Sequence, residues 1–159
     1  MVLAISCSLA QNCDPQFLNT FSLYSNEQID IVDSNNKVLQ KAVFVPRNLS
    51  NWVIPNAKWI WSIYQQASFP NGITTIVNFL VPFELTRLPS SVIVTSTCDD
   101  YVNVFVNGIA IPECKADFNK PPTSCNVEKL LKIGDNNIVF KAVDVGGYAA
   151  VQFSIIFNN

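Results

Sequence analysis

Two adjacent carboxylates, Asp99 and Asp100, stand immediately before the alternating stretch Tyr101-Val-Asn-Val-Phe-Val106 and the dipeptide Asn107-Gly108. A carboxylate pair is the working part of a glycosidase, but there the two groups face each other across the sugar, about 5–9.5 Å apart. Neighbours along one strand do not supply that opposition by themselves. At a strand start a carboxylate instead accepts backbone N–H groups and holds a tight corner. That is the role read for Asp99 and Asp100, with ligand or calcium contact second and catalysis last. Calcium needs six or more oxygens, and Asp99, Asp100, Asp117 and Asp144 with loop carbonyls are its candidate ligands. No other cofactor is implied.

The sequence has no histidine. This removes the usual general base near neutral pH, the commonest metal ligand and every Ser–His or Cys–His pair. Cys98 has no basic cluster to lower its pKa and reads as a packed or free thiol. Cys7, Cys13, Cys98, Cys114 and Cys125 form no C-x-x-C pair, which disfavours a zinc or thioredoxin-type site. Cys7 with Cys13, and Cys114 with Cys125, are close enough to bridge in an oxidising compartment, and the odd number leaves a thiol over. The expectation is a protein that is not an enzyme.

Aromatic rings offer a different chemistry, because a ring face fits the C–H face of a pyranose. Trp59 and Trp61 share a strand face and read as core. Trp52, in a polar loop, is the better exposed candidate, joined by Tyr64 in "SIYQQASFPNG" and Tyr148 beside Gly146-Gly147.

The elements that must position these residues are strands. Ile29–Val32 and Val38–Val45 flank the turn formers at 33–37 and read as a hairpin. Trp59–Trp61, Thr74–Phe83, Ser91–Thr97, Val102–Val106, Ile109–Ile111, Asn137–Val143 and Ala150–Phe157 follow, separated by turn residues at intervals suited to a sandwich or barrel. Asn107-Gly108 is a strong type I′ hairpin signal. Asn126–Lys132 carries a capping residue, an early acid, late lysines and Gly134 beyond, and reads as one or two turns of helix. By parity Val102, Val104 and Val106 share one face, with Asn103 and Phe105 on the other; Val151, Phe153, Ile155 and Phe157 oppose Gln152 and Ser154. Both strands are therefore expected to be half-buried.

With 159 residues, 49% of them hydrophobic, the chain fills one domain and no more. Only 14% are charged and the net charge is −2, with no basic run, so nucleic acid is not an expected partner. The 18 asparagines, with Ser, Thr and Gln, give a hydrogen-bonding surface of low charge, suited to sugars or to dense protein assembly. The opening "MVLAISCSLAQNC" lacks a positive n-region and is too short to span a bilayer, so neither a cleaved signal peptide nor membrane insertion is expected. The expected setting is an extracellular surface or a virion.

From about Ala57 onward the order of elements resembles the galactose-binding-like jelly roll of β-galactosidase-type glycoside hydrolases and lectin-like modules. The resemblance rests on "AKWIW" at 57–61, "DDYVNVFVNG" at 99–108, "NVEKLLKIGDNNIVFKAV" at 126–143 and "GGYAAVQFSI" at 146–155. It implies an all-β antiparallel sandwich of jelly-roll type over 56–159, with one short helix. Residues 1–55 would be a segment with a hairpin, either part of the sandwich or a docking extension. The implied role is non-catalytic, glycan recognition or attachment; the alternative, suggested by the uncharged, Asn-rich surface, is a structural subunit of a large assembly such as a minor viral capsid protein. The partners are accordingly a glycan or other subunits of a homo- or hetero-oligomeric assembly. If successive strands run up and down, the connections at 64–72, 98–101 and 112–124 fall at one rim. That rim would gather Tyr64, Gln65, Gln66, Asn71, Asp99, Asp100, Lys115 and Asp117 as a ligand-facing edge.

Overall fold

Residues 20–46, 53–62, 74–118 and 120–159 are described by the structure, a computed structural model. They contain β1 (Thr20–Tyr24), β2 (Asp30–Val32), β3 (Val38–Lys41), β4 (Val43–Phe44), β5 (Ile60–Trp61), β6 (Thr75–Leu85), β7 (Ser91–Asp99), β8 (Tyr101–Val106), β9 (Ile109–Asp117), β10 (Thr123–Asn126), β11 (Gly134–Asp144) and β12 (Ala150–Asn158). A front sheet is ordered β3-β2-β6-β11-β8-β9, and a back sheet β10-β7-β12-β5-β4, with β1 also paired to β12. The pairings are antiparallel, so the fold is the expected all-β sandwich. From β6 to β12 the chain visits front, back, front, front, back, front and back, the crossing pattern of a jelly roll.

Alternation drives this architecture. Val77, Phe79, Val81 and Phe83 of β6, Ile138 and Phe140 of β11, and the three valines of β8 turn inward to meet Val92, Val94, Val151, Phe153, Ile155 and Phe157 of the back sheet. Phe140 stacks on Phe153 across the sandwich at 3.8 Å, and Phe83 meets Phe157 edge-on at 5.1 Å. Trp59 and Trp61 are core residues, Trp61 packing on Phe79. The Asn107-Gly108 turn has φ of 50° and 81°, as a type I′ hairpin requires.

Three expectations need correction or narrowing. First, β12 is buried on both faces: Gln152 is only 1% exposed, and Ser154 is also buried. Segment 53–59 covers that side, where the Gln152 carboxamide accepts from Ile54 N–H and donates to Ala57 C=O, both at 2.8 Å. Second, the helix at 126–132 is a single 3-10 turn, Glu128–Leu130. Just beyond it the Asn136 side chain takes the N–H and C=O of Lys132, which removes the backbone groups a longer helix would use. Third, the hairpin's second strand breaks at Ala42. β3 pairs with β2 in the front sheet while β4 crosses to the back sheet, and Ala42 N–H donates to Ile29 C=O at the crossing.

A disulfide joins Cys114 to Cys125, with Cα atoms 5.4 Å apart, and so ties β9 of the front sheet to β10 of the back sheet. Cys114 sits where the β8–β9 register shifts, beside Pro112, which has no N–H to give a ladder. Cys98 is a buried free thiol. Cys7 and Cys13 lie outside the described residues. No helix among the described residues is long and apolar enough to cross a membrane.

Candidate functional site

The acidic end of the sandwich is built by the β7–β8 corner and the β11–β12 connection. Asp99 and Asp100 are joined by a cis peptide bond. Asp100 Oδ2 accepts from Val145 N–H at 2.7 Å, Asp100 N–H donates to Val143 C=O at 3.0 Å, and Asp100 C=O accepts from Phe118 N–H. Asp144 is 0% exposed; its Oδ1 accepts from Gly146 N–H at 3.0 Å, while its Oδ2 has no partner among the described residues. Burial, reinforced by the charges of Asp100 and Asp144, pushes Asp99 up to about 7. Burial also raises Asp144, against the Gly146 N–H and with help from Asp100. The Cys98 thiol is driven up by burial and then by the same carboxylates, the opposite of what a reactive thiolate needs.

Several residues singled out in the sequence come to this end. Asp117 pairs with Tyr101 across β8 and β9, and binds Lys115 at 3.1 Å and Lys120 at 2.9 Å. Lys115 also lies 4.9 Å over the Tyr101 ring. Tyr148 is exposed just before Ala150, which pairs with Asp99. Trp52, Tyr64, Gln65, Gln66 and Asn71 lie outside the described residues. Among the described residues no three Asp, Glu, Cys or His side chains converge to hold a metal ion. The polar groups here are chiefly committed to the corner's own backbone and to ion pairs.

The outer face of the front sheet is different. Register places side chains in rows across its central strands. Leu80, Val139 and Phe105 form one row from β6 through β11 to β8, continued by Asp30 and Lys41, which pair at 2.6 Å. The next row is Asn78, Lys141 and Asn103; on the other side of the apolar row stand Pro82 and Asn137. Apart from the buried Asp30 and the exposed Lys41, these residues are half-buried. Asn36 of the β2–β3 turn and Asn107 of the β8–β9 turn overhang the face, and two open depressions of 370 and 410 Å³ meet between them, sharing Asn36, Asn107 and Asn137. Both volumes lie in the range of ligand sites, ~300–1,000 Å³.

Hydrogen bonding separates the asparagines into two kinds. Asn107 donates to Leu130 C=O and to Asn136 Oδ1, and accepts from Asn137 N–H; Asn136 makes four side-chain bonds. These amides hold the fold. The side chains of Asn36, Asn103 and Asn137 have no partner among the described residues, and Asn78 makes one long bond of 3.5 Å to Val32 C=O. Their donors and acceptors face outward around an apolar floor.

No protein-family model matches the chain, and no curated protein does. Among solved structures it is similar to a chain assigned as a β-galactosidase from Bacteroides fragilis, at 14% identity and a TM-score of 0.49, covering 87% of this chain and 23% of that one. It is also similar to an FMN-binding β-glucuronidase from Facaelibacterium prausnitzii L2-6, at 11% identity and a TM-score of 0.47, covering 86% of this chain and 22% of that one. The chain thus spans less than a quarter of either enzyme.

Sequence reasoning placed Asn103 and Phe105 on a shared face but did not single them out, and it missed Asn78, Asn137 and Lys141. A usable signal existed. Asn78, Asn103 and Lys141 are each a polar residue wedged between inward apolar neighbours, in Val77-Asn-Phe79, Val102-Asn-Val104 and Phe140-Lys-Ala142, whereas Asn137 follows the polar Asn136 and lacks that signal. Strand parity puts such residues outside; only the register shows that they are one row.

Proposed function

We propose that this chain is a non-catalytic module of galactose-binding-like type that recognises carbohydrate on the outer face of its front sheet. The observation that carries the reading is the set of side-chain amides, Asn36, Asn103 and Asn137 unpartnered among the described residues and Asn78 held by one long bond, around the half-buried Leu80–Val139–Phe105 floor. A pyranose presents hydroxyls at its edge and C–H groups on its faces, and this surface offers the matching pair of chemistries. The acidic end supports a non-catalytic role, since Asp100 binds Val145 N–H in the corner next to Asp99 rather than standing opposite it across a cleft. Tyr148, Asp99 and Asp100 would then flank a secondary contact at most, and calcium there is not required.

A glycan array tests the reading. The native chain is expected to give a defined set of hits that Asn137→Ala and Phe105→Ala weaken together. An array without hits, or hits indifferent to both changes, would defeat it.

The second reading is a structural subunit of a larger assembly. It draws on the front sheet's edge strand β3, where Val38 and Leu39 are 50% and 62% exposed on a strand with one side unpaired among the described residues. Light scattering that shows a monomer at high concentration would count against self-assembly through that edge.

A further inference from the structure

Resting on the glycan reading above, we infer that the ligand is an acidic glycan whose carboxylate seats on Lys141. Lys141 lies in the C-terminal half of β11, the strand between β6 and β8, and is half-buried. Lys41, Lys58, Lys115 and Lys120 each have a carboxylate partner, whereas Lys141 has none among the described residues. Asp33 lines the same depression, but its Oδ1 already accepts from Asn35 and Lys37 N–H. The ammonium therefore stands without an ion-pair partner among the described residues, on the floor of a depression whose other charged lining residue is Asp33.

Covering it decides the ligand class. A neutral sugar laid over Lys141 strips water from a charge and returns no counter-charge, which is costly. A carboxylate pairs with it, and the carboxamides of Asn78 and Asn103 flank Lys141 on the neighbouring strands, each ~4.8 Å away in the ladder direction and able to donate to the second carboxylate oxygen. The row Leu80–Val139–Phe105 then lies beside that anchor, under the sugar ring that carries the acid or the ring next to it. One unpaired ammonium, two amides and an adjoining apolar strip together fit a uronate- or sialate-bearing chain.

Calorimetry on two matched pairs tests this: tetragalacturonate against its full methyl ester, and sialyllactose against lactose. In at least one pair the acid is expected to bind at least about tenfold tighter. Lys141→Arg is expected to retain that preference, Lys141→Gln to abolish it, and added salt to shrink it. Equal binding of acid and neutral partner, or a preference that survives Lys141→Gln, overturns the inference and leaves glycan recognition standing. So does silence on both pairs when neutral glycans bind elsewhere on an array. No binding by either acidic or neutral glycans overturns both. Should Lys141→Gln fail to fold, the comparison of acid with ester on the native chain remains decisive.

Discussion

The acidic end and the outer face of the front sheet are both rich in polar side chains, yet they use them in opposite ways. At the end, Asp100 and Asp144 bind the backbone N–H groups of Val145 and Gly146, and Asp117 holds two lysines. On the face, the side chains of Asn103 and Asn137 bind nothing among the described residues. A polar group that the fold needs is already partnered in the free protein; one that a ligand needs is waiting. Residue type alone does not separate the cases, as Asn136 and Asn137 show. These neighbours point to opposite sides of β11, one buried with four side-chain hydrogen bonds and the other outward with none.

That pair yields the largest expected effect. Asn136→Ala leaves the Lys132 N–H and C=O, the Gly134 C=O and the Asn107 amide short of partners, and should lower stability by about 2–4 kcal/mol in chemical denaturation. Asn137→Ala should stay within about 0.5 kcal/mol of the native chain. Similar losses for the two variants would erase the distinction between fold-holding and ligand-facing amides.

Asp100→Ala comes next. Losing the acceptor for Val145 N–H should cost about 1–2 kcal/mol in thermal unfolding while leaving glycan affinity unchanged. Weaker binding by this variant would shift the site to the acidic end. Phe105→Ala should do the reverse, weakening glycan binding about threefold to tenfold with the smaller effect on the fold. A stability loss as large as that of a core phenylalanine, about 3–5 kcal/mol, would mark Phe105 as core.

The smallest effect is a pH dependence, because the group that carries it, Asp99, is only half-buried and solvent screens its charge. Asp99 is raised from its ordinary 3.8 to about 7, so the folded state resists its ionisation. The resulting cost to stability is fully present above pH 7 and fades as pH falls through 7 towards the ordinary carboxylate value. Asp144 is raised as well and acts with the same sign. Glu27 and Asp117, lowered by Lys58 and by Lys120 with Lys115, act oppositely and lose their contribution as pH falls, but they are partly exposed and screened. Asp99→Asn should therefore melt above the native chain at pH 8 and level with it near pH 4. Parallel melting curves across that range would show that Asp99 is not desolvated.

Much of this arrangement was legible in the chain. The inward valines of β8 and the phenylalanines of β12 announce strands through a period of two, and Asn107-Gly108 announces its turn because positive φ is needed at both positions. Three things were not. The second covering layer on β12 depends on Gln152 meeting Ile54 and Ala57 from nearly 100 positions away. The break at Ala42 depends on a sheet change that the strand-like run Val38–Val45 does not reveal. The candidate site depends on register: Asn78, Lys141 and Asn103 are neighbours only because β11 lies between β6 and β8, and no local pattern reports that order. The acidic pair drew attention first because it is contiguous in sequence, which is a poor guide to what faces a ligand.

The most direct test of the claim that the front sheet's outer face is a binding surface is a titration of the isotope-labelled protein with an acidic oligosaccharide, followed through its side-chain amide resonances. The account predicts that Asn78, Asn103 and Asn137 shift together while Gln152 and Asn136 stay in place. Shifts confined to the backbone of residues 99–101 and 144–148, or no shifts at all at millimolar ligand, would contradict it.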